Sequence, residues 1–251
     1  MNKGYVILAQ NTVSTDYVGC AEVLRNSIYR VMPNANVTII TDLPHGDQAP
    51  DSDWKLINDW QVYEASPYEY TIKLEADMIV PYNIDYWWDI LCDRDLVVSN
   101  TIRNYKSEIS DCKAYRNFIT NNELPDVYNA VTYFKKSETA EKFFKLVRNI
   151  FEHWEEYKVI FRCNTGEPAT TDWVYAIACH IMGTENTTLP MFTQFSMVHM
   201  KQHVNDLISD NWTNELVYEC EDHLRINTFP QYYPFHYHIK NFSKVLGEYY
   251  G

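Results

Sequence analysis

The fold class follows from three segments at the start of the sequence: Tyr5-Val-Ile-Leu-Ala9, Tyr17–Val31 and Asn36-Val-Thr-Ile-Ile-Thr41. The first and third are short apolar runs rich in β-branched residues, which is typical of buried strands. Between them, apolar residues recur at helical spacing, and Asp16 can cap the start of that helix. A strand, a helix and a strand indicate a βαβ unit with a parallel sheet, which binds ligands at the carboxyl ends of its strands. The polar stretch 10–16 follows such an end.

The rest of the chain continues the alternation of strands and helices as far as Gly183, after which the pattern weakens. Short apolar runs predict strands, and 3.6-residue spacing predicts helices. The predicted strands are Trp54–Trp60, Tyr70–Leu74, Met78–Val80, Leu96–Ser99 and Val131–Phe134, and the predicted helices are Glu138–Trp154 and Asp172–Met182.

The composition is that of one well-packed domain. The 251 residues are 46% hydrophobic and 15% aromatic, and no Gly/Ser-rich or Pro-rich linker divides them. The net charge of −13 disfavours non-specific binding to nucleic acid, which requires Lys and Arg against the phosphates. No apolar run approaches the roughly 20 residues of a membrane span, and no signal peptide is recognisable. Six cysteines without Cys-x-x-Cys spacing indicate reduced thiols, so we expect a cytoplasmic protein.

Two carboxylates interrupt the apolar run Thr71-Ile-Lys-Leu-Glu-Ala-Asp-Met-Ile-Val80. In a regular strand, Glu75 and Asp77 would project from the same face and repel each other unless a cation lies between them. Mg²⁺ and Mn²⁺ favour oxygen ligands and bind through one or two carboxylates together with substrate phosphates. The alternative is a pair of exposed acids at a strand end, with Lys73 as a salt-bridge partner.

The neighbourhood of this pair resembles the metal-dependent nucleotide-sugar glycosyltransferases of the GT-A type, most closely the glycogenin-like family 8. Tyr17-Val-Gly-Cys-Ala-Glu-Val-Leu-Arg-Asn-Ser-Ile28 is similar to the family's Tyr-x-x-x-Ala-x-Val-Leu-x-x-Ser-Leu helix. The resemblance implies that Tyr17 stacks beside the nucleobase and that the loop around Ala9 and Asn11 holds that base. The alternative for Tyr17 is an aromatic residue of the core.

The segment Lys73-Leu-Glu-Ala-Asp-Met-Ile-Val80 is similar to the family's Leu-Asp-Ala-Asp-x-x-Val. In that family the two acids bind the metal ion and the diphosphate and ribose of the donor, so the resemblance implies these roles for Glu75 and Asp77. It also places Lys73 among the donor-binding residues. Glu75 replaces the first Asp of the family pattern.

Two further segments resemble the donor-sugar region of the family. Val127-Tyr-Asn-Ala-Val-Thr-Tyr-Phe-Lys-Lys-Ser137 is similar to Phe-Asn-Ser-Gly-Val-Leu-Val-Phe-x-x-Ser, which implies that Asn129 lies beside the donor sugar. Asp172 occupies the position of an Asp that touches sugar hydroxyls, which makes it a candidate catalytic residue. The alternative for Asp172 is a plain helix N-cap. Ala130 and Trp173 depart from the family pattern.

The segment His238-Ile-Lys-Asn-Phe-Ser-Lys244 keeps the spacing of the family's His-x-x-Gly-x-x-Lys, which closes over the diphosphate. The resemblance implies that His238 is the third metal ligand and that Lys244 places a positive charge on the leaving phosphate. His236 competes with His238, because residues two apart share one side of an extended segment.

These resemblances imply a single α/β GT-A (Rossmann-like) domain over residues 1–251, with a mixed, mostly parallel central sheet flanked by helices. Residues 1–100 would form the nucleotide-binding half and residues 101–251 the half that binds the donor sugar and acceptor. The expected activity is a hexosyl or pentosyl transfer from a nucleotide-sugar donor, expected to be a UDP-sugar, with Mn²⁺ or Mg²⁺ as cofactor and with retention of configuration. The acceptor, a glycan, a protein or a modified DNA base, is open.

Two other functions compete with this one. A sugar transferase acting on modified bases in DNA would use the basic residues Arg103, Lys106, Lys113 and Arg116, which fall in one predicted loop region. A non-catalytic nucleotide-sugar-binding protein would explain the departures from the family pattern at Glu75 and elsewhere.

Overall fold

The structure is a computed structural model that describes residues 2–45, 55–110, 116–162, 168–190 and 193–250. The strands are β1 (Lys3–Leu8), β2 (Val37–Ile40), β3 (Tyr70–Glu75), β4 (Met78–Ile79), β5 (Leu96–Ser99), β6 (Ile102–Arg103), β7 (Ile109–Ser110), β8 (Tyr128–Lys135), β9 (Met197–His199), β10 (Tyr218–Cys220), β11 (Leu224–Ile226), β12 (Phe229–Pro230) and β13 (Phe235–His236). The α-helices are α1 (Tyr17–Val31), α2 (Val62–Ala65), α3 (Trp87–Leu91), α4 (Asn117–Asn121), α5 (Glu138–Glu152), α6 (Trp154–Ile160), α7 (Thr171–Met182), α8 (Thr184–Thr187), α9 (Gln202–Asn205) and α10 (Phe242–Tyr250). Two 3₁₀ helices span Leu56–Gln61 and Trp212–Asn214.

The central sheet has the strand order β2-β1-β3-β8-β5. Strands β2, β1 and β3 pair in parallel, and β8 runs antiparallel between β3 and β5. Because only β8 is reversed, four of the five strands point the same way. The predicted α/β fold with a mixed, mostly parallel sheet is confirmed, and so are the strand, helix and strand predicted from the first 41 residues.

Each face of the central sheet is covered by a separate apolar cluster, because neighbouring residues of a strand point to opposite faces. Tyr5 and Ile7 of β1 pack on the side of α1, whereas Val6 packs on the side of α5 and α7. A third cluster lies around Trp212 and Phe235, between α10 and the second five-stranded sheet, β4-β13-β9-β6-β7. A third, smaller sheet is antiparallel and has the strand order β10-β11-β12.

The structure corrects one of the predicted strands. In the segment 54–60, of which Trp54 lies outside the described residues, a 3₁₀ helix replaces the strand. Its period of three residues brings Ile57 and Trp60 to one apolar cluster. The strands predicted on either side of the acidic pair are present: β3 ends at Glu75, and β4 follows as part of the second sheet.

The predicted helix Glu138–Trp154 is divided at His153 into α5 and α6. In the region after Gly183, where the sequence predicts little, the structure has several short strands, and two of them, β9 and β13, lie side by side in the second sheet.

Four cysteines of the described chain, Cys20, Cys92, Cys179 and Cys220, are free thiols, while Cys112 and Cys163 lie outside the described residues. Among the described helices, none is both long and apolar enough to cross a membrane.

The start of α1 is fixed by two side chains from the preceding loop. Asp16 accepts a hydrogen bond from the backbone N–H of Gly19 at 3.0 Å, as predicted for an N-cap, and Asn11 accepts one from Val18 at 2.8 Å. These bonds satisfy helix N–H groups that have no partner within the helix.

We predict that Asp16→Ala lowers the free energy of unfolding by about 0.5–2 kcal/mol, because the N-cap acceptor is lost. Chemical denaturation of the purified variant measures this change. Asp16→Asn keeps a side-chain oxygen and serves as the control, so an equal loss in both variants would contradict the capping role.

Candidate active site

A cavity of about 880 Å³ opens at the edge of the central sheet where β1 and β3 end. Leu8 and Glu75 contribute to its wall from these carboxyl ends, and Asn129 contributes from the start of the reversed strand β8. His199 and His236 contribute from the second sheet. The cavity therefore lies where the βαβ pattern predicts a ligand site.

Glu75 and Asp77 lie together in this cavity, with His236 between their carboxylates. Nε2 of His236 is 3.1 Å from Oδ2 of Asp77 and 3.3 Å from Oε2 of Glu75. Lys240 Nζ donates a hydrogen bond to the same oxygen of Asp77. The two acids are thus brought together as predicted, but by a turn rather than by strand alternation, because residues 76 and 77 form a turn between β3 and β4.

The second sheet fixes this arrangement through its backbone. His236 pairs with Met78 of β4 on one side and with His199 of β9 on the other. The backbone N–H of Tyr237 also donates to the carbonyl oxygen of Asp77 at 3.2 Å. The carboxyl-terminal segment is therefore held against the turn that carries the acidic pair.

The two carboxyl groups have different protonation behaviour. Burial raises the pKa of Glu75, and the neighbouring His236 and Lys73 oppose that shift. Burial would also raise the pKa of Asp77, but the charges and hydrogen bonds of His236 and Lys240 hold it well below its usual range. Asp77 is accordingly an ionised carboxylate at neutral pH.

Glu75, Asp77 and His236 fit a divalent cation. Each offers one ligand atom, and these atoms lie within 4.8 Å of one another. Two carboxylates and one imidazole leave positions for phosphate oxygens and water, as a Mg²⁺ or Mn²⁺ site requires. The resemblance implied that His238 is the third ligand, but the structure places His236 between the two acids. His238 instead lies against His199, with 3.3 Å between Nε2 of His238 and Nδ1 of His199.

Lys73 is buried beneath the cavity in a polar network. Its Nζ lies 2.6 Å from Oδ1 of Asp59 and donates to the backbone oxygen of Asn129 at 3.2 Å. The hydroxyl of Tyr175 donates to the other oxygen of Asp59 at 2.5 Å. Lys73 borders the cavity as predicted for a donor-binding residue, but its charge already has a partner, Asp59.

Asp172 borders the cavity at the start of α7. The N-cap of this helix is Thr170, whose hydroxyl accepts from Trp173 N–H at 3.2 Å, so the plain N-cap interpretation of Asp172 is wrong. The carboxylate of Asp172 instead accepts from the backbone N–H of Asn129 at 3.1 Å and lies 3.3 Å from Arg116.

Asn129 lies where the pairing of β8 with β5 is irregular, since the register jumps from Val98 opposite Thr132 to Ser99 opposite Tyr128. Such bulges redirect side chains and are frequent beside active sites. Nδ2 of Asn129 is buried without a hydrogen-bond partner, which leaves a donor unsatisfied.

The residues predicted to hold the base lie near the end of β1. Tyr17 borders the cavity, and Lys240 Nζ is 5.5 Å from the centre of its ring. Ala9 is fully buried, and its N–H already donates to Ile40 at 2.9 Å. Asn11 uses its side chain to hold Val18, and Thr12 rather than Asn11 borders the cavity.

The structure does not bring Lys244 to the cavity. This residue is exposed on α10, whereas Lys240, which precedes that helix, borders the cavity and contacts Asp77. A lysine therefore does lie beside the acidic pair, but it is Lys240, four residues before the lysine that the resemblance implied.

Of the four basic residues considered for DNA binding, the three that the structure describes do not form one exposed surface. Arg116 is buried against Asp126, and Arg103 lies over the ring of Tyr233 at 4.2 Å. Lys106 is exposed, and Lys113 lies outside the described residues.

No protein-family model and no curated protein sequence matches the chain. Among solved structures, the glycosyltransferase GlyE of Streptococcus pneumoniae TIGR4 aligns with a TM-score of 0.50 and 12% identity over 100% of this chain and 60% of that chain. The fold is GT-A-like. The apo form of GlyE is covered over 46% of its length, so the chain spans about half the length of these GlyE structures. The glycogenin-like family itself stays a prediction.

Two further glycosyltransferase structures align with lower scores. The bifunctional glycosyltransferase WbbM gives a TM-score of 0.49 and 12% identity over 82% of this chain and 41% of that chain. The galactosyltransferase LgtC, in complex with donor and acceptor sugar analogues, gives a TM-score of 0.44 and 11% identity over 69% of this chain and 70% of that chain.

Sequence reasoning missed His199, Asp59 and the role of Lys240. Asp59 was part of a predicted strand, and His199 lies in the region that no motif covered. The family spacing pointed to His238, and the alternation of His236 and His238 pointed to His236.

We predict that Lys73→Met lowers the free energy of unfolding by about 3–5 kcal/mol, because Asp59 would remain buried without its cation. Chemical denaturation measures the loss. The double variant Lys73→Met/Asp59→Asn removes both charges and should recover part of it. Strictly additive losses would contradict the coupling of the two side chains.

Proposed function

We propose that this protein is a metal-dependent glycosyltransferase that moves a sugar from a nucleotide-sugar donor, most simply a UDP-sugar, to an acceptor. The observation that carries the proposal is the group formed by Glu75, Asp77 and His236, with Lys240 beside it, in a cavity at the carboxyl ends of parallel strands. The GT-A-like fold supports it.

Glu75, Asp77 and His236 would hold a divalent cation. When bound, Mn²⁺ or Mg²⁺ supplies positive charge that stabilises a leaving diphosphate. Asp77 suits this task because it is ionised and because its neighbours already orient it. Burial raises the pKa of Glu75, and the positive charge of a bound cation would oppose that shift.

Lys240 would interact with the same diphosphate. Asp77 raises the pKa of its ammonium group against the opposing effect of burial, so the side chain carries a full positive charge at neutral pH. A fixed cation beside a developing negative charge lowers the barrier without moving during the reaction. We assign to Lys240 the role that the resemblance gave to Lys244.

The remaining residues would position the donor. Tyr17 offers an aromatic face for the base, and the unsatisfied Nδ2 of Asn129 offers a hydrogen bond to the donor. Asp172, held by Arg116 and by the N–H of Asn129, would orient the sugar hydroxyls. No side chain is assigned as a nucleophile, and retention of configuration follows only from the resemblance.

The acceptor would enter from the side of the second sheet. Met197 and Lys201, which border the cavity, belong to the region after Gly183 for which no motif was found. We also propose that the protein acts in the cytoplasm, since its cysteines lack the spacing of a disulfide framework. The division into halves near residue 100 stays a prediction.

We predict that the protein releases nucleotide from one member of a panel of UDP- and GDP-sugars in the presence of Mn²⁺, and that EDTA abolishes the release. Asp77→Asn should lower the rate by on the order of a hundredfold or more, because the ligand charge is lost. Asp222→Asn, at an exposed position, is the matched control.

Full activity in EDTA would remove the metal from the proposal. Metal-dependent binding of a nucleotide-sugar without any release or transfer would instead favour the non-catalytic binding protein.

We predict that Lys240→Met lowers kcat by on the order of a hundredfold, while the affinity for the nucleotide changes less, because the charge acts on the leaving group. Lys244→Met is the matched comparison and should have a much smaller effect on kcat. Steady-state kinetics of both variants test the assignment, and a larger loss in Lys244→Met would reverse it.

A further inference from the structure

Three histidines, His199, His236 and His238, lie against one another beside the acidic pair. One ring nitrogen from each lies within 4.8 Å of the other two. The ring centres of His236 and His238 are 3.8 Å apart, and that of His199 is 5.3 Å from the first and 4.5 Å from the second. We call these residues the histidine triad.

The second sheet builds the triad. His199 and His236 are register partners on the parallel strands β9 and β13, so their side chains lie on the same side of the sheet. His238 follows two residues later with a φ of +58°, in the left-handed region. This conformation costs a residue other than glycine roughly 1–2 kcal/mol, and such strain concentrates at ligand sites.

Ordinary core packing does not account for the triad. Nδ1 of His236 is buried without a hydrogen-bond partner, which costs about 1–3 kcal/mol. Within the described chain, no salt bridge involves His199 or His238.

We propose that the histidine triad binds a divalent transition-metal ion of the Zn²⁺ type, at a second site that shares His236 with the one formed by Glu75, Asp77 and His236. Three imidazoles with one open position are an established ligand set for tetrahedral Zn²⁺. Imidazole suits Zn²⁺, Ni²⁺ and Cu²⁺, whereas carboxylates suit Mg²⁺ and Mn²⁺. The two neighbouring sites therefore differ in the metal that they prefer.

The two sites exclude each other because both use His236. A neutral imidazole that binds one ion through one nitrogen keeps a proton on the other, so His236 serves one ion at a time. Two dications a few ångströms apart would also repel each other strongly. Zn²⁺ on the triad would thus displace the ion of the acidic pair and inhibit transfer. The inhibition rests on the proposed function, but the binding of Zn²⁺ does not.

The binding test uses Co²⁺ as a spectroscopic probe for Zn²⁺ in the metal-free full chain. We expect about one Co²⁺ per chain with the intense visible absorption of a tetrahedral site, which Zn²⁺ then removes. His199→Asn and His238→Ala should weaken Co²⁺ affinity at least tenfold, since even the loss of a supporting partner costs 10–100-fold. His180→Ala, exposed on α7, is the matched control and should bind as the unaltered protein does.

Loss of the spectrum in Glu75→Gln together with its retention in both triad variants would overturn the proposal, because the ion would then occupy the acidic pair. Failure of the unaltered protein to bind Co²⁺ or Zn²⁺ would also overturn it. His199 is buried, so thermal unfolding is measured alongside; if His199→Asn does not fold, the partly exposed His238→Ala decides the result.

Exclusion is tested by electron paramagnetic resonance of Mn²⁺. Zn²⁺ added to the Mn²⁺-loaded protein should release Mn²⁺ to solution, and His199→Asn should retain its Mn²⁺ at the same Zn²⁺ concentration. Simultaneous retention of both ions would overturn the exclusion. If no nucleotide-sugar is ever turned over, the proposed function fails, while Co²⁺ binding and Mn²⁺ release still decide the triad.

Discussion

The arrangement of this molecule depends on the buried carboxylate of Asp77, which is bound by His236 and Lys240 across 159 and 163 residues of sequence. Removing an ion from water costs several kcal/mol unless a partner replaces its hydration. The partners come from the carboxyl-terminal segment, and β13 pairs with β4 beside them. The same contacts that stabilise the buried charge therefore close the second sheet and complete the cavity.

Three of the basic side chains around the cavity are bound to acidic ones. Lys73 is matched by Asp59, Lys240 by Asp77, and Arg116 by Asp126 and Asp172. A diphosphate entering this cavity brings negative charge that these cations, already engaged, neutralise only in part. A further cation held by Glu75 and Asp77 would restore the balance.

Local patterns predicted the parts of the fold that local interactions determine. The βαβ opening, the N-cap of α1 and the helix α7 follow from periodicity and capping residues. The 3₁₀ helix at Leu56–Gln61 did not, because its buried Asp59 is stabilised by a lysine on β3, distant in sequence. The acidic pair was recognisable as charge within an apolar run, although the turn that brings the two side chains together was not.

The second sheet explains what the sequence left open. Its strands come from residues near 78, 103, 110, 198 and 235, and each is two or three residues long, too short for a periodic signal. The choice between His236 and His238 depends on register with Met78 and His199, and the choice between Lys240 and Lys244 depends on where α10 begins. These are long-range constraints that spacing within one segment does not contain.

We propose that Glu75, Asp77 and His236 hold a cation that accompanies a nucleoside diphosphate. Calorimetric titration of the protein with UDP and with GDP, first with Mn²⁺ and then with EDTA, tests it most directly. We predict that one nucleotide binds with Mn²⁺ and that its affinity falls at least tenfold without the ion. Equal binding in EDTA, or no binding of either nucleotide with Mn²⁺, would contradict it.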